Sequence, residues 1–296
     1  MTTATFASSG TPARVRNTLR TAIVSSHYYP RYLDRSLRFA RQLAQAVDAT
    51  ACVLVGGQPG VADALLAAAS SFTQTAAVCR HDNVGLEFGA YQRGLDALGD
   101  WRAFDWLVIV NDAYPLHEPF PVHHLVDTTH RIEWHAAVTW PVAIGQVEGL
   151  DRSYAIEGLR THRWITSNLV ALNRAALEGL HGRLYRPELE RLIVETDDPD
   201  RFFAAGVDAV LREHIARWLF DASAEFHWYR AAPLEAGNCA LFARKARSIL
   251  QEICLSARLD VLSTAFLDVK GLRRWQRLVL PVLQSRIRRR SAALHR

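Results

Sequence analysis

A chain of 296 residues, 49% hydrophobic and 22% charged, with 8 Trp, 8 Tyr and 12 Phe, holds ample material for a buried core and excludes disorder as its main state. The formal charge of +5 is concentrated at one end: 272–296 carries eight arginines and no acid, and without them 27 basic side chains face 30 acidic ones. Cys52, Cys79, Cys239 and Cys254 stand far apart with no C-x-x-C pair, which argues against a zinc site or a disulfide framework and for a reducing compartment. The first twenty residues are polar and lack a secretory apolar stretch, and no apolar run reaches the length of a spanning helix.

After a start expected to be disordered (1–20), Thr21–Ser26 reads as a short buried strand, and Leu33, Leu37, Ala40, Leu43 and Val47 fall at helical spacing. The unit repeats with a strand at Ala51–Val55, a helix at Val61–Ser70, a strand at Thr75–Cys79, a helix at Glu87–Leu98 and a strand at Trp106–Val110. Continuous apolar strands alternating with amphipathic helices predict an α/β fold: a mostly parallel, Rossmann-like sheet flanked by helices. The second half predicts strands at Ala136–Trp140 and Trp164–Leu172, with a glycine-containing loop over the site between them. Helices are expected at Ala175–Leu180, Pro187–Val194, Phe202–Phe220 and Ala240–Cys254, and a short strand at Phe226–Tyr229. One domain over 21–271 followed by a basic tail, 272–296, is the expected organisation.

In open parallel sheets, ligands collect beyond the carboxyl ends of the strands. There the sequence places Arg80-His-Asp-Asn-Val-Gly-Leu-Glu-Phe-Gly-Ala-Tyr91 and Asn111-Asp-Ala-Tyr-Pro115. Asn83 and Gly85 suit a turn into a helix whose first N–H groups attract a diphosphate, and Asp112 suits an oxygen ligand to a divalent cation. Each pattern also has an ordinary reading, as a turn and as a loop or cap residue. Tyr28 and Tyr29, past the first strand, can stack on a base or pack beneath the loop that follows. His81, His117, His123 and His124 match no zinc spacing and are expected to be surface or loop histidines.

Asn83-Val-Gly85 with Phe88-Gly-Ala-Tyr91, followed by Asn111-Asp112, resembles the nucleotide-sugar region of GT-A glycosyltransferases. It is most similar to the rhamnan-synthesis F-like proteins of bacterial polysaccharide assembly, in which Asn-x-Gly-x-x-x-Gly-x-Tyr precedes a strand ending Asn-Asp-Ser. Thr166–Arg174 resembles that family's strand ending in Asn, and Arg212-Glu213 its later Glu-containing helix. The resemblance runs over about 21–270. Two positions depart from it: Ala113 replaces the Ser, and no second carboxylate stands within two residues of Asp112.

The resemblance implies a GT-A fold and transfer of a sugar from a nucleoside-diphosphate donor to a hydroxyl of a glycan or lipid-linked glycan in cell-surface polysaccharide synthesis, with inversion. It implies a donor site at Tyr28, Asn83, Gly85, Tyr91, Asn111 and Asp112, with Mg or Mn at Asp112. A carboxylate must take the acceptor proton: Glu213 comes first, then Asp198 with its neighbour Asp197. Arg93 and Arg163 are weaker phosphate partners. From Leu272 to Ile287 an amphipathic basic helix is expected, which either docks on an anionic membrane, making the protein peripheral on the inner face of the cytoplasmic membrane, or packs on the domain. The competing reading is a non-catalytic GT-A scaffold. Specific nucleic-acid binding is not expected, because no aromatics interleave the basic run.

Overall fold

The computed structural model describes residues 19–72, 75–225, 227–269, 279 and 282. The strands are β1 (Thr21–His27), β2 (Ala51–Gly56), β3 (Thr75–Arg80), β4 (Trp106–Asn111), β5 (Val142–Ile156), β6 (Leu159–Asn173) and β7 (Ala265–Asp268). The helices are α1 (Leu33–Ala46), α2 (Pro59–Ala69), α3 (Leu86–Ala97), α4 (Tyr114–His117), α5 (Pro121–Trp134), α6 (Arg174–Gly179), α7 (Ala209–Phe220) and α8 (Cys239–Val261). One seven-stranded sheet runs in the order β3-β2-β1-β4-β6-β5-β7. β1 pairs in parallel with β2 and β4, β2 with β3, and β5 with β7, while β6 lies antiparallel between β4 and β5. This is the α/β, mostly parallel Rossmann-like sheet that the periodicity predicts.

The strands are apolar on both sides because both faces are covered. Ile23, Leu54, Val108 and Ala171 point into a core closed by Leu37, Leu43, Leu65 and Leu125 of α1, α2 and α5. Their neighbours Val24, Val55, Ile109 and Val170 point into a second core closed by Phe88, Tyr91 and Leu95 of α3 and by Leu255 and Leu259 of α8. A third cluster joins the outer halves of β5 and β6 to the 3₁₀ turn Pro187–Leu192, α7 and the first half of α8.

The second half departs from its expected boundaries. The strand expected at Ala136–Trp140 starts at Val142 instead, because Pro141 has no N–H to give a ladder and Asn173 accepts from Val142 N while donating to Trp140 O. The expected loop over the site is an antiparallel hairpin with fifteen residues in each strand, turned by Glu157 (φ 48°) and Gly158 (φ 81°). Only Ala209–Phe220 of the expected helix 202–220 is helical, Phe202 and Phe203 being held in extended pairing with Val194 and Ile193. His227–Tyr229 is not a strand: Trp228 stacks on Trp218, their rings 6.1 Å apart. His124 is not a surface histidine; it is buried on α5 against Tyr114 Oη at 2.9 Å. The expected disorder of 1–20 and basic helix of 272–296 lie outside the described residues, apart from Leu19, Arg20, Val279 and Val282. No described helix is long and apolar enough to cross a membrane.

Candidate functional site

Register puts the two polar segments on one edge of the sheet. Ser26 pairs with both Asn111 and Val55, and Val55 with Cys79, so β1 to β4 end in one row. β3 and β4 are nevertheless three strand spacings apart, about 14 Å. Helix α3 closes that gap. It starts at the β3 end and carries Glu87 and Tyr91 over to β6, where Tyr91 Oη donates to Ser167 O at 2.8 Å. The next residue of β6, Asn168, accepts from Asn111 Nδ2 at 3.1 Å, and Asn111 Oδ1 in turn accepts from Tyr114 N at 2.9 Å.

The turn into α3 explains why the chain spells Asn-x-Gly-x-x-x-Gly. Asn83 (φ 66°), Gly85 (φ 72°) and Leu86 (φ 52°) all take left-handed backbone, which Asn and Gly adopt at least cost. A Cβ on Gly85 would also stand 2.3 Å from the Tyr185 ring. At Gly89 a Cβ would stand 1.9 Å from Val84 O, so the helix can approach the turn only with hydrogen at that position. Leu86 N donates back to Asn83 O at 3.2 Å, and the further amides of a helix start favour an anion near them.

Asp112 is 5% exposed, and its Oδ2 accepts from the amides of Tyr28 and Tyr29, both at 2.8 Å. Burial raises its pKa from 3.8 to about 6; the two amides oppose the shift and the charge of Glu87 adds to it. Glu87 itself accepts from Ser248 Oγ of α8 and from Ser167 Oγ at 3.4 Å. Behind it, Glu252 of α8 accepts from Ser167 N, Ser167 Oγ and Trp164 Nε1 at 2.9, 2.6 and 2.9 Å, and burial still pushes its carboxyl up. Burial, followed by the charges of Glu87, Glu252 and Asp112, holds the Tyr91 phenol well above its ordinary value.

Tyr28, Asn83, Gly85, Asn111 and Asp112 thus lie beyond the carboxyl ends of the strands, while Tyr91 is buried in the core beneath α3. Tyr28 serves Asp112 through its amide, while its ring meets Tyr29 edge-on at 5.0 Å. Tyr29 is exposed and leans at a tilt on the buried Tyr32, ring centres 5.0 Å apart, with the Arg31 guanidinium 5.1 Å over its own ring. Glu213 sits on α7, its side chain 70% exposed and 3.6 Å from Arg152. An exposed pair of this kind contributes at most about 1 kcal/mol, so a double-mutant cycle on Arg152 and Glu213 is expected to return a coupling below that. Asp198 shapes a turn, accepting from Asp200 N through its carboxylate and from Arg201 N through its carbonyl; Asp197 lies beside it.

No three His, Cys, Asp or Glu side chains converge on a metal position among the described residues. One carboxylate, with Oδ2 already bound to two amides, does not make a closed metal cage; it fits only a cation whose other ligands are water and substrate phosphate.

Sequence reasoning missed Glu87, Ser167 and Glu252. Glu87 stands inside the Asn83–Tyr91 segment and was open to discovery as the polar residue of an apolar helix start. Glu252, nearly four turns into an amphipathic helix, gives no local signal. Because Tyr91 Oη and Ser167 O satisfy each other in a buried setting, Tyr91→Phe is expected to cost about 1 kcal/mol in denaturant unfolding.

No family model matches the chain, and no curated protein does. Among solved structures it is similar to a cytidylyltransferase from Leptospira borgpetersenii, with 14% identity, TM-score 0.36, and 79% of this chain and 97% of that one covered. It is also similar to a protein described as a glucose-1-phosphate thymidylyltransferase from Bacillus anthracis, in complex with a sucrose, with 10% identity, TM-score 0.33, and 54% and 75% covered. Likeness this slight leaves the functional reading to the residues of this chain.

Proposed function

We propose that the chain is a GT-A-like glycosyltransferase that moves a sugar from a nucleoside-diphosphate donor to an acceptor hydroxyl in bacterial cell-surface polysaccharide synthesis. The observation that carries the reading is the meeting, on one sheet edge, of the Asn83–Gly85 turn, the start of α3 and the buried Asp112 carboxylate with Glu87 acting on it. The diphosphate lies at the amides of the 83–85 turn and α3, which stabilise the charge that grows as the anomeric C–O bond breaks. The base or ribose rests on Tyr28 and Tyr29, and Asn111 and Tyr91 hold the floor. The acceptor oxygen attacks the anomeric carbon and loses its proton to a carboxylate, with inversion.

Glu213 is the base implied by resemblance, and Asp198 is the second choice. Glu87 is a further candidate by position, since it stands in the first turn of α3. Glu213→Gln and Glu87→Gln separate the two: the true base loses kcat about a hundredfold or more while donor affinity stays the same. A divalent cation at Asp112 would neutralise donor phosphate charge. The enzyme works in the cytoplasm, peripheral to the inner membrane face where a lipid-linked acceptor is presented, with 272–296 as its contact.

The primary experiment measures thermal protection by UDP, GDP, dTDP and CDP, each with and without Mg or Mn. Protection by at least one, lost in Asn83→Ala, is the expected result. A flat response to all four overturns the donor site.

A further inference from the structure

A second cleft carries none of the residues assigned to the proposed reaction. The cleft lies between the loop after α6, the 3₁₀ turn Pro187–Leu192 and the end of α8, with Leu159 of β6 in its wall, and Tyr185, between its Arg183 and Arg186, packs on Gly85 of the α3 turn. The cleft is an open groove of about 640 Å³. Its walls carry Arg183, Arg186 and Arg258, with His181 beside them, against the single carboxylate of Glu188.

The charges of the cleft do not balance. Glu188 is already bonded to Arg186, which also reaches Glu157 at 3.5 Å. Arg258 donates to two neutral carbonyls, Arg183 O at 2.7 Å and Leu180 O at 2.8 Å. Neither Arg258 nor Arg183 pairs with a carboxylate among the described residues. Two bonds to rigid backbone hold the Arg258 fork in place, so its remaining N–H groups are pre-oriented. Burial, and then the nearby Arg186 and Arg183 charges, hold the Arg258 guanidinium below its ordinary pKa, against the opposing pull of Cys254 and Glu188. Glu188 and Glu157 both engage Arg186, so the cluster keeps a surplus of positive charge at Arg183 and Arg258 that an anion from outside would neutralise.

We infer that this cleft binds a small phosphate-bearing molecule, its phosphate forked by Arg258 and Arg183 and its body against the apolar wall of Leu159 and Leu262. The site is independent of the donor reading.

Isothermal titration of the full chain with inorganic pyrophosphate, in chelator and at fixed ionic strength, tests it. Arg183→Glu, at an exposed position, and Arg258→Lys, which keeps charge but loses the fork, are each expected to weaken binding tenfold or more. Arg244→Glu, exposed on α8, and Asp112→Asn are expected to leave this binding unchanged. Unaltered affinity in Arg183→Glu, equal weakening by Arg244→Glu, or loss in Asp112→Asn alone overturns the inference. Phosphatidic-acid vesicles form the lipid arm: capture that depends on Arg183 without any response to pyrophosphate also overturns it, assigning the guanidinia to a membrane headgroup.

Discussion

Gly89→Ala is expected to destabilise the fold by about 3 kcal/mol and to remove nucleoside-diphosphate protection. Inserting atoms into a packed position costs about 1–3 kcal/mol, more when nothing yields, and here the obstructing atom is the Val84 carbonyl oxygen at 1.9 Å, not the end of a flexible side chain. The turn is itself poor in freedom, with Asn83, Gly85 and Leu86 at positive φ and Leu86 N bonded to Asn83 O. Either α3 lifts from β1 and β2, or the turn opens and its amides lose their aim. Denaturant unfolding reads the first effect and thermal shift with the protecting nucleotide reads the second. A variant of native stability with native protection would show that Gly89 is no more than a helix residue.

Asp112→Asn is expected to abolish one pH dependence of stability. In the native state burial lifts the Asp112 carboxyl from 3.8 to about 6, so the folded protein holds the proton more tightly than the unfolded chain. Stability from this group is complete below about pH 4 and is lost as pH rises through 6. A rise of that size is worth about 3 kcal/mol at neutral pH. Asn does not titrate and keeps an oxygen for the Tyr28 and Tyr29 amides, so the difference between variant and native stability should move in favour of Asn by most of that amount, about 2 kcal/mol, from pH 4 to 7. Unfolding of both proteins in chelator over this range measures it, and parallel curves would mean that Asp112 ionises without penalty. Under the proposed function the same substitution lowers transfer at least a hundredfold, because the charge held at this cost is the one that would hold a cation against the donor phosphates. Retained transfer would assign Asp112 to tying β1 to β4 alone.

The repeated apolar runs from Thr21 to Val110 determined the parallel half of the sheet by themselves. Strand and helix periods are local properties, and two-sided burial demands continuous apolar strands. Asn83 and Gly85 were legible for the same reason, because left-handed backbone selects particular residues at particular steps, whereas the Val84 carbonyl against Gly89 showed only in the structure. Tertiary structure alone decided the rest. The hairpin Val142–Asn173 depends on pairing across the sheet, which Pro141 and Asn173 set in register from thirty-odd positions apart. The partner carboxylates Glu87 and Glu252 meet through Ser167 across 165 residues of sequence, and the Arg183–Arg258 cleft is assembled from α6 and α8. Electrostatic convergence of this kind has no sequence period, because burial and charge act through space while periodicity records only the neighbours along the chain.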